Sequence, residues 1–100
     1  MALKLRADDD HADDLRDLLD AYEGLDHLRI RRRADLLTLE SGDEADPSAH
    51  VRFRRSSVHL WTLECATHTG RWERSGFREP LPRLVDLVVT TLPWTIAPLE

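Results

Sequence analysis

His27-Leu-Arg-Ile-Arg-Arg-Arg-Ala-Asp-Leu-Leu-Thr-Leu-Glu40 decides the fold, because much of this stretch alternates between apolar and polar side chains. A strand turns successive side chains to opposite faces, so a period of two marks a half-buried strand. A turn at Arg33-Ala34 sets Ile30 against Leu37 and Leu28 against Leu39. Arg31, Arg29 and His27 then face Leu36, Thr38 and Glu40, so one side of the pair is apolar and the other mostly polar. A slip of one residue would mix the two sides, which gives the faces their support.

The same period continues downstream. Ser41-Gly-Asp-Glu-Ala-Asp-Pro-Ser48 is a polar loop punctuated by Gly and Pro. A second hairpin turning near Arg55-Ser56 sets Val51 against Leu60 and Phe53 against Val58. On its other side Arg52 meets His59, Arg54 meets Ser57 and His50 meets Trp61. Thr69-Gly70 reads as a further tight turn, after which Trp72 opposes Thr67 and Arg74 opposes Cys65.

Outside this region the period lengthens. Leu15, Leu18, Leu19 and Tyr22 recur at helical spacing, with Asp8, Asp9 or Asp10 to cap the start and Gly24 to end the turn. The spacing predicts a helix over 9–23, preceded by a short extended arm at Leu3 and Leu5. Towards the C-terminus, Pro80-Leu-Pro82 opens an apolar run that Pro93 closes. Its β-branched residues suit a strand, but its length between prolines favours a buried helix, with Trp94 and Ile96 folding back onto the core. The expected fold is α+β over residues 1–100 as a single domain. It is a four- to five-stranded antiparallel meander with an N-terminal and a C-terminal helix on one face, α-β-β-β-β-(β)-α.

The 100 residues carry 41% hydrophobic and 33% charged side chains, which is the composition of a folded domain. The net charge of −5 is uneven: residues 1–26 carry −6 and the rest +1. No apolar run is long enough to cross a bilayer, and a lone cysteine, Cys65, fits a reducing, cytoplasmic setting.

Candidate chemistry is sparse. The segment Asp8–Asp14 lacks the shaped, glycine-bent loop of a calcium site and reads as a solvated helix start. His11, His27, His50, His59, His68 and Cys65 show no zinc spacing, and no phosphate loop or catalytic motif occurs, so no metal, cofactor or catalytic residue is assigned. The informative feature is the polar sheet face. On this register it presents Arg29, Arg31, Arg52, Arg54, His59, Trp61, Leu63, Trp72 and Arg74, and arginine with tryptophan is the composition of binding hot spots. The expectation is a non-catalytic interaction protein using this face to dimerise or to bind a protein partner. Two alternatives stand beside it. Single-stranded nucleic acid suits stacking aromatics and arginines but is disfavoured by the acidic charge, and a ligand or enzymatic pocket would gather His50, His59 and Cys65.

Overall fold

The computed structural model describes residues 5–98. Helix α1 (Asp9–Asp20) leads into five strands, β1 (Arg29–Arg33), β2 (Leu36–Ser41), β3 (Ser48–Arg55), β4 (Trp61–Ala66) and β5 (Trp72–Glu79). Helix α2 (Leu81–Thr91) and a 3-10 turn η1 (Pro93–Ile96) follow. The strands form one antiparallel sheet in sequence order, β1-β2-β3-β4-β5, so the meander takes its five-stranded form.

The Asp8 side chain accepts from the His11 backbone while the His11 ring accepts from the Asp8 backbone, a reciprocal cap that starts α1. The helix stops at Asp20, three residues short of the expected end, and buries Leu15 and Leu19. Proline is tolerated in a first turn, so α2 begins directly after Pro80 and buries Leu81, Leu84, Val85 and Val88. Of the two residues expected to fold back, Ile96 is buried while Trp94 is 69% exposed. Leu3 of the expected N-terminal arm lies outside the described residues, and Leu5 belongs to no strand.

The three hairpins depart from the expected registers, and the size of each departure decides its consequence. In the first, the loop is Ala34-Asp35 and Ile30 pairs with Leu39. A two-residue hairpin loop favours positive φ, and Ala34 supplies it at 54°. The displacement is even, so the faces survive. In the second, Ser56–Leu60 forms a longer loop, with Ser56 and Ser57 donating their backbone N–H to the Leu60 carbonyl. Val51 then pairs with Cys65, Phe53 with Leu63 and Arg55 with Trp61. That displacement is odd, so β4 turns over and Trp61 and Leu63 enter the core. In the third, Ala66 pairs with Trp72 and Glu64 with Arg74, a slip of one residue. It offsets the inversion of β4 and keeps Trp72 and Arg74 on the outer face.

The core therefore lies between the helices and the inner side of the sheet, where Leu37, Leu39, Val51, Phe53, Trp61 and Leu63 meet Leu15, Leu19, Leu84, Val85 and Val88. Each large side chain buried there stabilises by roughly 1.5–3 kcal/mol. Among the described residues no helix is long and apolar enough to cross a membrane.

Candidate functional site: the open face of the sheet

Both helices lie on the inner side, and no described element covers the outer one. Strand pairing lines up two rows across all five strands. One runs Arg31, Thr38, Arg52, Glu64, Arg74, and the next runs Arg33, Leu36, Arg54, Thr62, Arg78. Each row therefore places an arginine on β1, β3 and β5. With strands about 4.8 Å apart, successive arginines stand on backbones about 10 Å apart and the row is about 19 Å wide.

The middle of this array is occupied by its own counter-ion. Glu64 is only 5% exposed although no helix covers it, because Arg52 and Arg54 close over it. Its Oε1 accepts from Arg52 Nε at 2.8 Å and its Oε2 from Arg54 Nε at 3.0 Å. Burial works to raise the carboxyl pKa, but the hydrogen bonds and charges of Arg54 and Arg52 together hold it below its ordinary value. The Arg54 guanidinium rises in turn, chiefly through its hydrogen bond to Glu64, and its Nη1 also reaches Asp35 at 3.0 Å. Arg52 lies over the Trp72 ring with its guanidinium carbon 4.3 Å from the centroid, a cation–π stack. Loosely matched charge is left towards the two edges. Arg31 is 63% exposed and its ion pair with Glu40 is long at 3.9 Å, and Arg33, Arg74 and Arg78 are exposed.

Of the residues expected on this face, Arg29, Arg31, Arg52, Arg54, Trp72 and Arg74 are there, although Arg29 is turned to the Gly42 carbonyl. Three are not. Trp61 is 3% exposed on the inner side, edge-on to the His11 ring of α1 at 5.2 Å, and Leu63 pairs with Phe53 in the core. His59 belongs to the β3–β4 loop and lines a separate groove with His11 and Pro82. The physical reason is the five-residue loop. Arg33 and Arg78 were missed; Glu64, expected only as a carboxylate able to pair with arginines across strands, does so on this face, and the alternation of Trp61, Leu63 and Cys65 with Thr62 and Glu64 was the signal that would have oriented β4.

The expected grouping of His50, His59 and Cys65 also fails. His59 is in the groove beside α1, whereas His50 and Cys65 line a second open groove of about 900 Å³ with Trp72, Leu92 and Trp94. Burial first, and then the Glu73 carboxylate, push the Cys65 thiol up, the wrong direction for a nucleophile.

One pair does have the spacing of a nucleophile and its base: Ser41 Oγ stands 2.6 Å from His50 Nε2, and His50 Nδ1 is 2.9 Å from the Thr95 carbonyl. The β2–β3 register shifts beside Leu39/Glu40, leaving His50 as the extra residue, and this bulge turns its ring inward. Ser41 continues the inner parity of Leu37 and Leu39 and is only 4% exposed. A hydroxyl so enclosed cannot reach an acyl group, and the pair's geometry instead ties η1 to the sheet. Among the described residues no group of three or more His, Cys, Asp and Glu side chains is placed to hold a metal ion. No family model, no curated protein and no solved structure matches this chain.

Proposed function

We propose that this chain is a small non-catalytic interaction protein whose open sheet face docks an acidic surface of a protein partner. The observation that carries the reading is the uncovered five-stranded face, on which Arg31, Arg33, Arg74 and Arg78 are exposed while Glu64 is already neutralised by Arg52 and Arg54. Such a face attracts carboxylates, and guanidinium groups grip them in a planar, two-pronged geometry. The same charge argues against a two-fold dimer through this face. An isologous contact meets itself, so arginines would oppose arginines with the apolar anchors Trp61 and Leu63 out of reach.

Single-stranded nucleic acid is the competing reading, favoured by the Trp72 ring beside Arg52 and Arg74. The acids of α1 lie behind the sheet rather than on this face, so their repulsion of phosphates is weakened by distance and salt. One side of the Trp72 ring is already covered by Arg52, which leaves less of it for a base.

Titrating the labelled protein with an oligoglutamate peptide and, separately, with oligothymidylate tests the two readings by amide NMR shifts. The expected result is a set of shifts confined to outward residues of β1, β3 and β5 with oligoglutamate, weakened by salt and lost in Arg31→Glu with Arg74→Glu. A stronger, more steeply salt-dependent response to oligothymidylate transfers the face to nucleic acid. Absence of both responses at low salt defeats the binding reading, as would a dimer in light scattering that the same charge reversal leaves intact.

A further inference from the structure

We propose that His50 and His27 form an acid-operated latch that holds η1 and the buried Ile96 against the sheet while His50 is neutral, and lets that segment go when it is charged. Two imidazoles from different parts of the chain bind neighbouring carbonyls of the same short turn. His50 Nδ1 is 2.9 Å from the Thr95 oxygen, and His27 Nε2 is 2.7 Å from the Ile96 oxygen. A carbonyl accepts only, so each of these ring nitrogens carries the proton and donates it. In neutral His50 the other nitrogen, Nε2, is then an acceptor, and the Ser41 hydroxyl 2.6 Å away donates into it.

Adding a proton to His50 reverses that last bond. Nε2 becomes a donor, and the Ser41 hydroxyl must turn its own hydrogen elsewhere in a pocket where it is 4% exposed. The new charge also lies in a site 6% exposed and 6.2 Å, centroid to centroid, from the His27 ring. Burial first, and then the proximity of His27, lower the His50 pKa, although its bond to Thr95 works the other way. The other titratable groups lining the His50 groove are Cys65 on β4, His68 and Arg71 in the β4–β5 loop, and Glu73 on β5. Glu73 and Arg71 bring opposite charges to the groove, while η1 and Leu92 add none.

The sign follows from linkage. A histidine whose folded pKa is depressed below 6.5 leaves full stability above 6.5. Stability then falls as the pH drops from 6.5 through the lowered folded value, because the released segment binds the proton more readily. Ile96, 3% exposed between sheet and α2, is what η1 uncovers on leaving.

The test follows the His50 ring proton and the exchange protection of the Thr95 amide, which is bonded to the Leu92 carbonyl at 3.0 Å, from about pH 8 to 5. Protection corrected for intrinsic exchange is expected to fall about tenfold for each unit by which the ring pKa is depressed, the fall starting near 6.5 and levelling off where the ring itself titrates. His50→Gln can still donate to Thr95 and accept from Ser41, so it is expected to hold the segment at both ends of the range, and His27→Gln to move the midpoint upward by removing the opposing charge. Protection unchanged in the wild-type protein between those limits overturns the latch, as does an equal loss in His50→Gln. Should His50→Gln not fold, the wild-type profiles decide: a fall in protection that levels off where the ring titrates upholds the latch, and one that levels off more than about one unit away ends it.

Discussion

The two faces of the sheet are built from the same five strands and held by different forces. On the inner side Leu37, Val51, Phe53, Trp61 and Leu63 are sealed by α1 and α2, and the attraction is burial of apolar area. On the outer side Glu64 is buried nearly as deeply as Trp61, yet what closes over it is a pair of guanidinium groups. Depth of burial is therefore a poor guide to what holds a residue in place. The apolar centre of the inner face, away from His50, should ignore salt and acid, and the outer face should respond to both.

The sharpest way to break this comparison is to put a charge where only apolar contact is tolerated. Trp61→Asp sets an unpaired carboxylate beneath α1 and is expected to abolish cooperative folding, seen as loss of a thermal transition. Phe53→Ala leaves a cavity at the centre of the same layer and is expected to cost about 3–5 kcal/mol in denaturant unfolding, with little salt dependence. A folded, soluble Trp61→Asp protein would place that indole on the surface and undo the inner face as described.

How far the faces were legible depended on the turns more than on the strands. The alternation in 28–39 was strong enough that a pairing displaced by two residues, from a loop shifted by one, left every side chain on its expected side. The odd error at Ser56–Leu60 carried Trp61 and Leu63 to the wrong side, because nothing in Ser-Ser-Val-His-Leu marks a particular loop length as Asn-Gly would. A compensating slip of one residue in the third hairpin then returned Trp72 and Arg74 to the outer face, so part of the arginine array was legible for an incomplete reason. Glu64 was legible as a cross-strand partner for arginine but not in its place, which needs the register of β4, and the bulge at His50 was not legible at all, because it breaks the parity on which the strand reading rests. The helices, fixed by caps and prolines close in sequence, were the easier part.

Removing the buried counter-ion tests the outer face directly. Glu64→Ala frees Arg52 and Arg54, both partly exposed and able to turn to water, so the cost is expected at about 1–3 kcal/mol rather than that of a fully enclosed pair. Its pH signature is separate from that of His50. A carboxyl held below 4.5 contributes stability that is complete above 4.5 and lost as the pH falls through its lowered folded value. The acid profile of the wild-type protein should therefore show a lower step that Glu64→Gln abolishes and an upper step, beginning near 6.5, that His50→Gln abolishes. The absence of a lower step that Glu64→Gln removes would dissolve the distinction between the faces.

The smallest expected effect on stability is the one that bears most on purpose. Arginines along β1 and β5 have a second use, since charged side chains on edge strands keep sheets from pairing with one another. Arg31→Lys with Arg74→Lys separates that use from binding. Lysine keeps the charge that guards an edge and loses the planar fork that grips a carboxylate, and neither residue supports the core, so unfolding should change by less than about 0.5 kcal/mol. If the face exists to hold an acidic partner, affinity for oligoglutamate should nevertheless fall by about tenfold, a loss near 1.4 kcal/mol. If the arginines only guard the edges, solubility and affinity alike will be untouched, and the charge of the open face will have been a means of keeping the protein apart from others rather than of bringing one to it.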